Sequence, residues 1–128
     1  MLKNIVIGAV CLVVGGGAVQ LLHAQTKPPA YGIAIIDIKD AEGYKKELTG
    51  VRERIGASGG KAIAAAGVSG SGEIIVPEGE KAPSRVVINE WPNLDAYKTW
   101  WKDVGEKDVK VLGQHATLHL YTVEGLSK

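Results

Sequence analysis

With 128 residues and 13.5 kDa the chain has room for one small domain, and 45% hydrophobic with 23% charged residues is a globular balance that argues against wholesale disorder. Fifteen Lys and Arg stand against fourteen Asp and Glu, which lacks the basic excess of a protein built to grip nucleic acid or anionic lipid. The single cysteine excludes an internal disulfide, a CxxC redox pair and a cysteine zinc site.

Lys3 precedes an uncharged run from Ile5 to Leu22, and Leu22-His23-Ala24 puts a small residue at a cleavage point before Gln25. Gly16-Gly17-Ala18 offers an earlier point. This is the layout of a secretory signal over residues 1–24, so the mature chain is expected in the periplasm or secreted. An uncleaved anchor is the alternative, because about 17–25 apolar residues span a bilayer, and only then would the protein be membrane-bound. Gly15-Gly16-Gly17 and the alanines favour removal. Val10 before Cys11 fits a lipoprotein signal poorly. Cleavage after Ala24 leaves 104 residues with 14 basic and 14 acidic side chains, a small core that a partner chain would help to complete.

Residues 25–30, with Pro28-Pro29, read as an extended linker into a domain over 31–126. Tyr31 to Ile38 is a short isoleucine-rich strand. Asp40 sits where a helix N-cap belongs, and Tyr44, Leu48, Val51 and Ile55 make one apolar stripe that Gly59-Gly60 ends. Lys61 to Ala66 is expected as a second strand, Gly67 to Gly72 as a turn, and Glu73 to Val76 as an extension or return of that strand. Ser84 to Trp91 is the clearest strand. Pro92 stops it, Asn93 caps a helix, and Leu94, Tyr97 and Trp101 form its stripe until Gly105 breaks it. Glu106 to Leu112 is a further short helix and Ala116 to Val123 the last strand. The order β-α-β-β-α-β predicts an α+β, ferredoxin-like fold: a four-stranded antiparallel sheet with both helices on one face.

Alternation along the strands assigns their faces. Ala34, Ile36 and Ile38, Val86 and Ile88, and Leu118 and Leu120 are expected beneath the helices. The opposite face would carry Ile33 and Ile35, Arg85, Val87 and Asn89, and Thr117, His119 and Tyr121. Apolar bulk mixed with polar tips suits a second copy packed over this face, with a lined cavity between the two sheets. That mismatch favours a homodimer over a sheet that simply keeps one face in water.

The ordered set of short motifs resembles the DUF1330 family, small proteins related to dimeric α/β-barrel domains. The matching residues are Pro29-Ala30-Tyr31, Asp40-Ala41-Glu42-Gly43-Tyr44, Gly59-Gly60, Ser84-Arg85-Val86-Val87-Ile88 with Glu90-Trp91-Pro92, Leu94-Asp95-Ala96 with Trp100-Trp101, and Val123-Glu124-Gly125. The resemblance implies a ferredoxin-like fold pairing into a dimer, with no established activity. Two departures are a glycine-rich Gly67–Gly79 segment that is longer than usual and the absence of an arginine near Lys61-Ala62-Ile63-Ala64.

Arg85, Asn89, His119 and Tyr121 are the candidate ligand-binding residues: Arg85 to hold an anion with paired hydrogen bonds, Tyr121 to orient a small organic molecule. His119 is the candidate proton acceptor if the domain is a cofactor-independent oxygenase, isomerase or lyase, with Arg85 or Asn89 stabilising an enolate-like anion. His115 and His119 lie four apart and share a strand face, but a metal would need a third ligand, Asp37 or Glu90, of which Glu90 has the opposite parity to Arg85 and Asn89, so no metal site is expected. The segment from Gly67 to Gly72 lacks a phosphate loop's Lys-Ser/Thr pair. Binding of a small organic molecule is thus the first reading, and a structural module without ligand the third. The neutral charge and missing aromatic RNA-binding pattern set nucleic acid aside.

Overall fold

The computed structural model describes residues 27–68 and 72–127. The expected export signal, its cleavage points and Cys11 lie outside the described residues, as does part of the Gly67–Gly72 turn. The elements run β1 (Ala30–Ile38), α1 (Ala41–Ala57), β2 (Lys61–Gly67), β3 (Arg85–Trp91), α2 (Leu94–Trp100), a π-helical turn (Trp101–Gly105), α3 (Glu106–Leu112) and β4 (Ala116–Glu124). The sheet order is β2-β3-β1-β4 with every neighbouring pair antiparallel. That is the ferredoxin-like βαββαβ arrangement. Among the described residues no helix is long and apolar enough to cross a membrane.

Local chemistry fixes the helix ends. Asp40, extended at φ −127°, accepts the Gly43 N–H at 3.2 Å, and Asn93 accepts the Ala96 N–H at 2.8 Å. Each satisfies an amide that the first helical turn leaves unpaired. The carboxyl of Asp40 is held below its ordinary value, first by the Gly43 amide and then by His115, whose Nδ1 lies 2.8 Å from Oδ2. At the far end of α1, Gly59 takes φ +92°, and Gly60 donates to the Ile55 carbonyl at 3.0 Å. Only glycine adopts that turn without cost.

The core joins Ile36, Tyr44, Val51, Leu112 and Ala116, with Ala34, Ile38, Leu48, Ile55, Val87 and Leu118 packed against it. β1 and β4 therefore face the helices as their alternation predicts. β3 does not. Arg85 pairs with Ile36 and Val87 with Ala34, directly opposite in register, so Arg85, Val87 and Asn89 lie under the helices. Val86 and Ile88 occupy the other face, beside Ile35 and Ile33. Both alternate sets of Arg85-Val86-Val87-Ile88-Asn89 contain a β-branched residue, so hydropathy alone points the wrong way; the register with β1 decides.

Two further expectations are corrected. Glu73–Val76 forms no strand; only an isolated parallel bridge joins Ala66 to Gly72. Gly105 does not break the helix, which continues through the π turn into α3. Burial falls on Trp100, 7% exposed, rather than on Trp101, because the wider turn begins after Trp100. Gly105 is there for space: a Cβ would lie 2.8–2.9 Å from three atoms of the Trp100 ring. Gly105→Ala should therefore destabilise the domain by about 1–2 kcal/mol in urea unfolding, the clash outweighing the roughly 1 kcal/mol that alanine gains in helix propensity.

Candidate functional site

A cavity of about 300 Å³ lies between the sheet and the helices. Its walls come from β1 (Gly32, Ala34, Ile36), α1 (Tyr44, Leu48, Val51, Ile55), β3 (Arg85, Val87, Asn89, Trp91), the second helical run (Tyr97, Trp100, Asp108, Leu112) and β4 (Leu118, Leu120). The volume sits at the small end of ligand pockets, and the lining is mainly apolar with few polar groups, as such pockets require.

One end is aromatic. Trp91 and Trp100 approach to 4.9 Å between ring centroids, with Tyr97 5.1 Å from Trp91 at 85°. Trp91 Nε1 donates to Ser58 Oγ at 3.0 Å. Trp100 Nε1 is buried and has no hydrogen-bond partner among the described residues.

The other end carries charge. Arg85 is 2% exposed and gives Nη1 to the Val68 carbonyl at 2.9 Å, while its Nε is buried without a partner among the described residues. Tyr44 stands beside it. Burial pushes the Tyr44 phenol above its ordinary value of 10.0, against the opposing pull of the Arg85 and Arg52 guanidiniums. The hydroxyl is therefore a neutral donor and acceptor at physiological pH. Because the folded value is raised, this group's contribution to stability is complete below about pH 10 and is lost as pH rises through the folded value. Tyr44→Phe should flatten that alkaline loss, which in the wild type reaches at most about 1.4 kcal/mol per pH unit from one proton. Parallel urea titrations between pH 9 and 11.5 check it.

Asp108, also in the wall and 6% exposed, is already engaged. Arg54 Nε reaches its Oδ1 and Oδ2 at 3.1 and 2.9 Å, and Nη2 its Oδ1 at 2.9 Å, which braces α1 against α3. This carboxylate carries no obvious signal in the sequence; only its spacing from Leu112 along the helix marks it as inward.

Of the four residues expected to line one site, Arg85 and Asn89 do border this cavity, from beneath the helices. Tyr121 borders it from β4, although parity turns its side chain to the other face, where it pairs with Ile33. His119 lies outside, exposed beside Ile35 on that opposite face. The four do not meet above the sheet as the alternation suggested. Among the described residues no cluster of three or more His, Cys, Asp or Glu side chains lies close enough to hold a metal ion, and His115 is turned to Asp40.

Topology and packing together define a small ferredoxin-like domain with a cavity between its sheet and its helices. The chain belongs to the DUF1330 family, a domain of unknown function whose profile matches residues 29–126. Similar solved structures include a protein of unknown function from Rhodopseudomonas palustris, 18% identical, covering 84% of this chain and 93% of that one with a TM-score of 0.58. Another is SnoaB, a cofactor-independent oxygenase from Streptomyces nogalater, 12% identical, covering 79% and 96% with a TM-score of 0.54. A hypothetical protein of Arabidopsis thaliana is 8% identical, covering 80% and 92% with a TM-score of 0.53. At these identities the likeness is one of fold. No curated protein matches the chain.

Proposed function

We propose that this domain binds a small organic molecule in the cavity between its helices and its sheet. The observation that carries the reading is the pairing of an apolar space of about 300 Å³ with two buried donors, Arg85 Nε and Trp100 Nε1, that find no acceptor among the described residues. Unsatisfied buried donors are costly in a native fold and call for an explanation, which a bound molecule would supply. Native mass spectrometry of the purified mature protein tests this: a retained or added compound of one to two rings should add its mass in a fixed ratio. A chain that stays bare with every such compound removes the reading.

Cofactor-independent catalysis on the same scaffold is the second reading. It is favoured by Arg85, whose buried guanidinium suits an oxyanion. The cavity is less well supplied with a base. His119 is on the other face, Asp108 is held by Arg54, and Tyr44 keeps its proton. Binding is therefore preferred to turnover, and a bound compound recovered unchanged after incubation in air separates the two.

We further propose that the protein works as a homodimer and is exported. The face away from the helices presents Ile33, Ile35, Val86 and Ile88 in register, flanked by Tyr121 at 57% and Val123 at 48% exposure. A row of this kind, twofold-compatible and apolar, suits a second copy of the same sheet. Tyr121→Asp should convert the dimer to a folded monomer in light scattering. An unchanged mass places the interface elsewhere. For export, the amino terminus of the protein recovered outside the inner membrane should be Gln25.

A further inference from the structure

We propose that the occupant of the cavity is an elongated aromatic carboxylate, its carboxylate held at the Arg85 end and a neutral acceptor atom reaching the Trp100 end. This rests on the reading of the cavity as a ligand site and adds the chemistry of the ligand.

The sign of the charge follows from Arg85. A guanidinium keeps its proton in any protein environment, so its burial leaves a fixed positive charge away from water. Buried charges are normally paired. The ion pairs of the described residues join Arg54 to Asp108, Lys61 to Glu90, Lys110 to Glu106 and His115 to Asp40. None includes Arg85. Asp108, the carboxylate in the same wall, has both oxygens on Arg54. One Arg85 donor goes to the neutral Val68 carbonyl and Nε goes to nothing described. A carboxylate supplies the missing charge and matches the flat fork of the guanidinium, with the neutral Tyr44 hydroxyl beside it as a further donor.

The length follows from β3. Arg85 and Trp91 are its first and last residues, so the guanidinium and the aromatic cluster belong to its two ends. Trp100 packs against Trp91, so its indole belongs to the Trp91 end of the cavity wall and the Arg85 side chain to the other. Between them run Ala34, Val87 and Leu48, and the rings of Trp91 and Tyr97 close the far end. An inorganic anion would satisfy Arg85 and leave the apolar length and the indole N–H empty. A flat apolar body with an acceptor at its tip fills both.

Calorimetric titration with three probes tests this: 6-methoxy-2-naphthoate, its uncharged primary amide, and 2-naphthoate, which lacks the methoxy acceptor. In the wild type the acid should bind at least tenfold more tightly than the amide, and the methoxy acid severalfold more tightly than 2-naphthoate. Arg85→Met should abolish the first difference and Trp100→Phe the second. If Arg85→Met does not fold, the comparison of acid with amide in the wild type decides alone. An amide that binds as well as the acid overturns the anion assignment while leaving the cavity a ligand site. Failure of all three to bind at millimolar concentration, with no mass adduct in native spectra, overturns both.

Discussion

Trp91→Ala should remove about 3–5 kcal/mol, a large part of the stability of a domain this size. The ring is 1% exposed and closes the joint between β3, α1 and α2. Its indole N–H binds Ser58 Oγ at 3.0 Å, and Ser58 in turn donates to the Ile55 carbonyl at 2.6 Å, so the last turn of α1 is tied to the end of β3. Glycines make room for it. A Cβ on Gly60 would lie 2.8 Å from Trp91 Cε2, and one on Gly32 3.1 Å from Cζ3. With small residues moulded around the indole, the neighbours cannot collapse into the space that alanine would leave, which places the cost toward the upper end. At roughly 4–8 °C per kcal/mol for a domain near 100 residues, the melting temperature should fall by at least about 12 °C. Trp91→Phe keeps most of the ring and loses the bond to Ser58, so about 1 kcal/mol is expected. Urea unfolding of both variants distinguishes the packing contribution from the hydrogen bond. A loss below 1 kcal/mol in Trp91→Ala would show that the ring is not a structural joint.

The fold was legible because its signals are local. Asp40 and Asn93 cap helices where their side chains reach the amide three residues on, and the Tyr44–Leu48–Val51–Ile55 stripe shows one buried side. Features set by contacts distant in sequence were not legible. The π turn moves burial from Trp101 to Trp100, and the reason, the ring over Gly105, needs the folded helix. β2 also carries an irregularity between Ala62 and Ala64, where alanines give no parity to read. The site suffered most from β3. A strand that begins with a buried arginine reads by hydropathy as though Arg85 faced out, which puts Arg85 and Asn89 in company with His119 and Tyr121. Register with β1 separates them. Buried charge is the exception to the pattern that sequence reading relies on, and exceptions of this kind gather where ligands bind.

Arg85→Met should raise the stability of the ligand-free protein, by about 1–3 kcal/mol, while removing its affinity for anions. Three contributions set the sign. The guanidinium is 2% exposed, and withdrawing such an ion from water costs several kcal/mol even after relaxation. Against this stand one hydrogen bond to the Val68 carbonyl, worth about 1 kcal/mol, and the contact of the guanidinium with the Tyr44 hydroxyl, a neutral partner while the phenol stays protonated. Methionine retains most of the side-chain length and adapts to the same space between Ile36, Val87 and the helices. The desolvation cost is the largest of the three. The melting temperature of the free protein should therefore rise by several degrees, whereas an arginine kept for structural pairing would make the same substitution destabilising. Scanning calorimetry of wild type and variant, each alone and with saturating 6-methoxy-2-naphthoate, separates these cases: the ligand should lift the wild type and leave Arg85→Met where it was. A variant that is more stable when empty and unmoved by the ligand would place the counter-charge of Arg85 in the ligand, whereas a destabilised variant would mark the guanidinium as a structural cation.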